Sequence, residues 1–315
     1  MQTLPRISAL TGSSSGWGFY LCARKEVRTG KSGAYLAVVL QDISGEIKAK
    51  VFQDVDTMRE EFEAGEFVKI QARGNLFNQR LELVLDRIRR VDPLRDALDG
   101  FREEDCIPCA PRPLDEMWQE LQAHIASVQS PHVRELLVRI VSAHGDRLRI
   151  WPAAQAVHHA YRGGLLEHIL KILEGVTFLA GAYGANRDVL VAGAILHDIG
   201  KLQELSYGVT TDYSVEGNLV GHITLGAQLV RETGRAIPDV PADVLVQIEH
   251  LVLSHHGQRA LGSPVEPMTV EAFILAAIDD LDAKIHQVRK HIDADDTDGP
   301  FTAFHRRLER VLYKP

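Results

Sequence analysis

The sequence is poor in cysteine and in long apolar runs, and each shortage narrows the class of protein. Three Cys in 315 residues cannot form the disulfide framework of a small secreted domain, so we expect reduced thiols and a cytoplasmic protein. No apolar run approaches the ~20 residues of a membrane span. The N-terminus lacks a basic stretch followed by an apolar one, so no signal peptide is visible and no membrane partner is expected.

A strong positive charge is also missing. The formal net charge is −8 and the sequence pI is about 6.0, which excludes a nucleic-acid binder of the strongly basic kind. The charge is unevenly distributed: residues 1–95 hold 15 Lys and Arg against 12 Asp and Glu, and the remaining 220 hold 20 against 31. The length allows two domains, each with its own core. The sequence thus indicates a mildly basic N-terminal part joined to an acidic remainder.

Residues 1–92 predict a small all-β barrel. Apolar and polar residues alternate over short segments bounded by turn chemistry, at 33–40, 46–52, 67–74 and 81–85. The run 35–52, with the pattern YL…L.D.SGEI.A.VF, resembles the OB-fold of the tRNA-anticodon-binding type. That resemblance implies a nucleic-acid-binding domain.

Side chains of this barrel are candidates for nucleic-acid contact. Cations bind phosphates and aromatic rings stack on bases in proteins that hold single strands. The candidates are Lys48, Lys50, Arg73 and Arg80 for phosphates, and Phe52 or Phe77 for bases. The alternatives are solvated surface charges for the cations and barrel core for each Phe.

Residues 93–113 contain four Pro, three Asp and the turn pair Asp99-Gly100, and they predict a linker before a helical domain at 114–315. The linker holds Cys106-x-x-Cys109, but a structural zinc site needs a second pair and Cys22 stands alone. Apolar spacing then predicts helices. An N-cap is expected at Ser130-Pro131, and further helices at 165–179, 188–196, 223–230, 242–253, 270–288 and 301–312.

The segment Ile195-Leu196-His197-Asp198-Ile199-Gly200-Lys201 carries the strongest chemical signal. His and Asp side by side can hold a divalent metal, and a Lys one turn later can reach a phosphate oxygen. Further His and Asp residues recur about one helix apart, and a helical bundle can bring one ligand per helix to a shared centre. The six candidate ligands are His168, His197, Asp198, His222, His255 and Asp279. Mixed His and carboxylate ligands favour two metals such as Mn or Fe.

This ligand set resembles the HD superfamily of metal-dependent phosphohydrolases over about residues 155–290. The resemblance implies an all-α HD-type bundle and assigns the six residues as metal ligands. His255 is favoured over His256, and Asp279 over Asp280. His256 and Asp280 stay open as additional ligands or substrate contacts.

The strings PAA…HHAY.GGLLEH, at 152–168, and DDLDAK, at 279–284, together with the N-terminal barrel, are similar to the YhaM family of 3′→5′ exoribonucleases. That resemblance implies release of 5′-mononucleotides from the 3′ end of single-stranded RNA, with single-stranded DNA as an alternative. His159 is then a candidate catalytic residue. Arg162 and Lys284 are candidate phosphate contacts. Protein partners cannot be inferred.

These residues predict phosphodiester hydrolysis by two divalent metals. Manganese is expected, with Fe, Co, Mg or Zn as alternatives. Asp198 would bridge the metals, and Lys201 would take up charge on the phosphate; the alternative for Lys201 is a helix-end cation. Two other functions stay open. One is a nucleotidase or cyclic-dinucleotide phosphodiesterase, which the barrel disfavours because a small molecule needs no strand-binding domain. The other is a non-catalytic nucleic-acid-binding protein, which the ligand set disfavours because such a protein has no use for six metal ligands.

Overall fold

The chain folds into two compact units: the first holds the chain up to Cys109 together with Tyr207, and the second holds the rest of the described chain from Ala110 on. The structure is a computed structural model that describes residues 3–30, 33–77, 80–154, 161–207, 211–295 and 297–314. The first unit is a β-barrel and the second is mainly helical, so the predicted fold class is confirmed. In the described residues no helix is both long and apolar enough to span a membrane.

Five strands close the barrel in the order β1-β2-β3-β5-β4, the arrangement of an OB-type barrel. They are β1 (Ser15–Gly30), β2 (Gly33–Asp42), β3 (Gly45–Val51), β4 (Phe67–Phe77) and β5 (Arg80–Arg90), with α1 (Val55–Glu60) between β3 and β4. β3 and β5 pair in parallel, and the other pairs are antiparallel. Alternate residues such as Leu36, Val38 and Leu40 fill the interior, as the predicted alternation requires.

The longest strand, β1, is not evident from the sequence. It pairs with both β2 and β4 and so closes the barrel. Its second half is mostly exposed and charged, and its first half contains Gly16 and Gly18, which lower strand propensity. Pairing with a strand on each side, rather than an alternation of apolar and polar residues, therefore determines this strand.

Residues 93–109, expected as a linker, pack on the barrel. The segment begins with α2 (Pro93–Asp96). The Phe101 ring lies 5.4 Å from Phe19 and 5.5 Å from Phe67, centroid to centroid, and the carbonyl of Asp105 accepts a hydrogen bond of 2.9 Å from the Ile43 amide. Cys106 is buried beside these rings, and no disulfide joins the three cysteines, all of which lie in the described residues. The compact barrel unit thus includes this segment.

The second unit is built from nine helices in its described part, and the sequence predicted six of them by position or by N-cap. They are α3 (Leu114–Ala126), α4 (Pro131–Ile150), α5 (Gly164–Tyr183), α6 (Arg187–Leu196), α7 (Lys201–Glu204), α8 (Val215–Val220), α9 (His222–Arg235), α10 (Ala242–Ser254) and α11 (Val270–Ala294). A short hairpin, β6 (Leu205–Tyr207) and β7 (Thr211–Tyr213), separates α7 from α8. The Ser130 hydroxyl accepts from the Val133 amide, which confirms the predicted N-cap. Helices α7 and α8 were not predicted.

The prediction of a helix at 301–312 is wrong. This C-terminal segment forms isolated bridges between Phe301 and Tyr313 and between His305 and Arg310. Its conformation depends on Asp295, at the end of α11, whose carboxylate accepts from the Ala303 amide at 2.7 Å and from Lys314 at 2.9 Å. These contacts between distant residues override the helical spacing of the apolar side chains.

Candidate metal centre

The predicted ligands converge where helices of the second unit begin, end or pass one another. They are His168 in α5, His197 and Asp198 directly after α6, His222 at the start of α9, His255 and His256 directly after α10, and Asp279 in α11. Gly221 has a φ of 79°, a conformation that strongly favours glycine, so the turn that presents His222 depends on this residue. His168, His197, Asp198 and His255 are almost fully buried.

Asp198 lies between two groups of ligand atoms. Its Oδ2 is 3.4 Å from His197 Nε2 and 3.7 Å from His168 Nε2. Its Oδ1 is 3.4 Å from His222 Nε2 and 3.7 Å from His255 Nε2. One carboxylate thus presents one oxygen to each group.

Two groups of residues have ligand atoms within 4.8 Å of one another: His168, His197 and Asp279, and His222, His255 and His256. In the first group the Nε2 atoms of His168 and His197 are 3.1 Å apart, and Asp279 Oδ1 is 3.2 Å from His168 Nε2. Ring centroids of His255 and His256 in the second group are 4.4 Å apart. The two groups with Asp198 between them match a pair of neighbouring cation sites.

All five histidines point Nε2 toward the centre because Nδ1 is engaged elsewhere. A metal-binding His usually donates its second ring N–H to an oxygen acceptor, which fixes both ring and tautomer. The Nδ1 acceptors, at 2.7 to 2.9 Å, are Asp282 for His168, the Ala194 carbonyl for His197, Glu204 for His222, the Val252 carbonyl for His255 and the Leu261 carbonyl for His256. The rings are therefore oriented as metal ligands require.

Three atoms at the centre have the chemistry of cation ligands. Asp198 Oδ1, His222 Nε2 and His255 Nε2 are buried and have no hydrogen-bond partner among the described residues. A buried polar atom without a partner costs free energy, and each of these atoms is a good ligand for a divalent transition metal. The residues present therefore fit a bound metal.

The charges of the site also favour cation binding. Burial alone would raise the pKa of Asp198, but Lys201 and His197 hold it well below its usual range, so the carboxylate is ionised. Burial lowers the pKa of His255 well below its usual value, which keeps that ring neutral and able to bind metal. Burial opposes protonation of His168, yet Asp279 and Asp282 raise its pKa to about 9. A cation at His168 must therefore displace a proton at neutral pH.

A cavity of about 450 Å³ opens onto the centre. Its walls include Asp198, Lys201, His255, His256, Asp279, Asp280 and Lys284. The Lys201 ammonium donates to Asp198 Oδ2 at 2.6 Å. Lys201 is thus placed between the shared carboxylate and any ligand in the cavity.

The remaining predicted site residues differ in whether they line the metal cavity. Lys284 lines the cavity and forms an exposed ion pair of 2.5 Å with Asp280, which belongs to neither ligand group. The Arg162 carbonyl accepts from the Ala110 amide, and its side chain is not among the described residues that line the cavity. His159 lies outside the described residues. Its catalytic role stays a prediction.

Sequence reasoning missed the carboxylates that orient the histidines. Glu204 accepts from both the ring and the amide of His222, at 2.8 and 3.0 Å. Asp282 lies three residues after Asp279, and that spacing places both on one side of α11. The sequence carries no signal for Glu204, because its partner His222 is 18 residues away and the contact forms only on folding.

On the barrel, the candidate nucleic-acid contacts lie around β3 and the β4–β5 hairpin. Phe52 and Phe77 are 54% and 56% exposed, so neither belongs to the barrel core. Lys50 lies 4.9 Å from the Phe77 ring and forms an ion pair of 2.6 Å with Glu82. The Phe52 ring is 5.7 Å from Tyr35. Lys48, Arg73 and Arg80 are exposed.

Comparison with known proteins agrees with this architecture. Residues 165–284 match the HD domain model. The chain is 35% identical over 286 residues to 3′-5′ exoribonuclease YhaM of Bacillus subtilis, covering 89% of this chain and 88% of that protein. It is 34% identical over 285 residues to the protein of that name from Geobacillus, covering 89% and 86%.

Two solved structures resemble the barrel weakly. The second OB-fold domain of replication protein A from Methanococcus maripaludis is 18% identical with a TM-score of 0.25, over 29% of this chain and 96% of that one. A replication protein A heterotrimer bound to ssDNA is 16% identical with a TM-score of 0.22, over 28% and 69%.

The fold and the site define an HD-domain protein with a separate N-terminal OB-type barrel. Within that class, the chain belongs to the YhaM family of 3′-5′ exoribonucleases.

Proposed function

We propose that this protein is a metal-dependent 3′→5′ exoribonuclease that releases 5′-mononucleotides from single-stranded RNA. Membership of the YhaM family supports the reaction. The observation that carries the proposal is Asp198, whose two oxygens face two separate groups of ligand atoms. Paired cation sites of this kind suit phosphodiester hydrolysis.

The first cation site would use His168, His197, Asp279 and Oδ2 of Asp198. The second would use His222, His255, His256 and Oδ1 of Asp198. When bound, divalent cations supply Lewis-acid activation of the phosphodiester and of the water that hydrolyses it. Manganese is the metal we expect, with Fe, Co, Mg or Zn as alternatives, because imidazole and carboxylate ligands accept all of them.

Protein side chains prepare the site for this reaction. The oxygen acceptors on Nδ1 fix the five rings before any ligand arrives, so little reorganisation is required. The Lys201 ammonium keeps Asp198 ionised and lies within the cavity, where it can donate to a non-bridging phosphate oxygen. A cavity of about 450 Å³ is of small-molecule size, which suits a single terminal nucleotide.

The barrel would hold the strand away from the reacting end. The face of strands 2 and 3 and the loops beside them bind oligonucleotides in OB folds, and Lys48, Lys50 and Phe52 lie on or directly after β3. Exposed Phe52 and Phe77 are available to stack on bases. We expect single-stranded DNA to bind this surface as well, since every base offers an aromatic face. We expect the protein to act in the cytoplasm, because three cysteines are too few for the disulfide framework of a small secreted domain.

The proposal is tested by incubating the protein with Mn²⁺ and 5′-labelled single-stranded RNA. We expect a descending ladder of labelled products together with free 5′-mononucleotides. A chelator should abolish the ladder, and a blocked 3′ end should slow it. Cleavage of cyclic dinucleotides or mononucleotides without any shortening of RNA would show that the enzyme is a small-molecule phosphohydrolase instead.

A further inference from the structure

A second cavity of about 520 Å³ lies next to the metal cavity and is basic. Its lining residues are Gln287, Lys290, His291, Ala294, His305, Arg306 and Arg307. No acidic residue is among them. Gln287 and Arg307 also line the metal cavity, so the two cavities share walls. We call this second cavity the basic groove.

The basic groove has two walls that are held together by specific contacts. One wall is the C-terminal half of α11, and the other is the C-terminal segment 301–314. His291 Nε2 bonds the Ala303 carbonyl at 2.9 Å, and the His291 and His305 rings are 4.6 Å apart. Asp295 holds the segment through Ala303 and Lys314. The groove is therefore a built feature of the folded unit.

The groove is basic, whereas the helical unit as a whole is acidic. Residues 110–315 hold 19 Lys and Arg against 26 Asp and Glu, yet the described lining of the groove contains Lys290, Arg306 and Arg307 and no Asp or Glu. Neither Arg306 nor Arg307 forms an ion pair with any residue in the described part of the chain. Two arginines without an acidic partner in a concave surface attract an anionic ligand.

Gln287, at the junction of the two cavities, indicates that the ligand must also offer a hydrogen-bond donor. Its Oε1 is buried and has no hydrogen-bond partner among the described residues. An acceptor of this kind needs a donor, which a phosphate diester lacks and a sugar hydroxyl supplies. A ligand with both phosphates and hydroxyls matches the junction and the groove together.

We propose that the basic groove holds the sugar-phosphate backbone just upstream of the 3′ end, so that the strand reaches the metal centre between α11 and the C-terminal segment. This assignment rests on the proposed exoribonuclease function. From Asp279 to His291 the helix rises about 18 Å, at about 1.5 Å per residue. That distance corresponds to about five nucleotides of a stacked strand at about 3.4 Å each.

The test measures RNA binding by the full chain under chelator, so that no cleavage occurs. A labelled single-stranded RNA is titrated at several salt concentrations with wild type and with Arg306→Ala/Arg307→Ala. We expect the double variant to bind on the order of tenfold more weakly at low salt. The slope of log K against log salt should become shallower by about 1.4, since each phosphate contact on a single strand contributes about 0.7.

Two matched variants separate charge from structure. Arg306→Lys/Arg307→Lys keeps both charges and should keep most of the salt slope. Arg235→Ala removes an exposed cation at the far end of α9, about 20 Å along that helix from His222, and should bind RNA like wild type. Thermal melts of all variants check that they are folded.

Each outcome decides the proposal. If wild type binds and shortens RNA but Arg306→Ala/Arg307→Ala binds like Arg235→Ala, the groove assignment is wrong and the proposed function stands. If wild type neither binds nor shortens RNA, both are wrong. If polyglutamate competes as well as RNA and loses its binding in the double variant, the groove binds an acidic protein segment and the nucleic-acid assignment is wrong.

Discussion

Asp198 is the residue on which the two candidate cation sites depend, because its oxygens face different groups of ligands. Removing it takes a ligand from both sites, whereas removing His222 takes one from the second site only. The two residues therefore allow the number of bound metals to be counted by substitution.

We expect wild type to hold two metals per chain after reconstitution, His222→Ala to hold about one, and Asp198→Ala to hold few or none. Metal content is measured by elemental analysis after gel filtration. His250→Ala is the matched control, since His250 accepts from the Met268 amide and belongs to neither group. Two metals retained in His222→Ala would rule out this division of ligands.

Lys201→Ala should lower kcat on the order of 10²-fold, by analogy with removal of one donor to a developing charge. Metal content should change little, because Lys201 contacts Asp198 and belongs to neither ligand group. Lys171→Ala, on the exposed surface of α5, serves as the control. A parallel fall of metal content and rate would make Lys201 a structural residue only.

At the residue scale, the sequence predicted the candidate site residues that a local motif or a regular spacing identifies. His197, Asp198 and Lys201 lie in one motif, and the other candidate ligands lie before and after it at helix-length intervals. Glu204 and the basic groove were not predictable, since both depend on which side chains meet after folding. The first orients a histidine 18 residues away, and the second joins α11 to the C-terminal segment.

At the element scale, close packing between helices holds the two halves of the centre together. An added Cβ on Gly200 would collide with the carbonyl of His222 and approach the Gly226 amide at 2.7 Å. The turn that carries Asp198 and Lys201 thus lies directly against α9.

Gly200→Ala should destabilise the protein by about 3 kcal/mol or more, since the collision is with backbone atoms that cannot move aside. It should also lower metal content by displacing His222. Gly181→Ala, in α5, is the control because no described atom outside its own stretch of helix backbone lies within 4 Å of the added Cβ, and it should stabilise by about 0.5–1 kcal/mol. Equal unfolding midpoints for both variants in urea would contradict this packing argument.

Asp96, in α2, joins strands of the barrel through buried ion pairs. Its carboxylate accepts two bonds from Arg89, at 2.7 and 2.8 Å, and one of 3.1 Å from Lys69. The Arg89 guanidinium holds the pKa of Asp96 well below its usual range. A lowered pKa contributes stability above the unfolded value and loses it as the pH falls toward the folded one.

Asp96→Asn should therefore cost about 2–3 kcal/mol of unfolding free energy at neutral pH. The difference from wild type should stay constant above about pH 5 and shrink progressively below about pH 4. Urea unfolding of both proteins across this pH range measures the difference in unfolding free energy. Asp99→Asn removes an exposed partner of Lys69 and should cost at most about 1 kcal/mol; an equal effect of both variants would show that burial of Asp96 adds nothing.

Most elements were predicted where local periodicity and caps decide the structure. α4 to α6 and α9 to α11 carry apolar faces at helical spacing, and β2 to β5 alternate. β1 and the segment 301–314 were not predicted because their conformation depends on partners elsewhere in the chain: β2 and β4 for the strand, Asp295 for the segment.

At the scale of the whole molecule, the barrel and the helical unit can be tested for separate roles. A fragment that begins at Ala110 keeps the Ala110–Arg162 hydrogen bond and every described ligand. We expect it to hydrolyse a small phosphodiester within a few-fold of the full chain, while binding of long RNA weakens much more. A folded fragment that loses both activities equally would mean that the barrel contributes to the active site.

The unpartnered atoms of the metal centre have a consequence for the lifetime of the protein. Asp198 Oδ1, His222 Nε2 and His255 Nε2 are buried and find no hydrogen-bond partner in the part of the chain that the structure describes. Each costs about 1–3 kcal/mol in that state, and a bound cation removes that cost. A ligand that binds only the folded state raises the free energy of unfolding by mass action. When metal is scarce, more chains should unfold and be degraded by proteases. The cellular amount of this protein should therefore follow metal supply, even at a constant rate of synthesis.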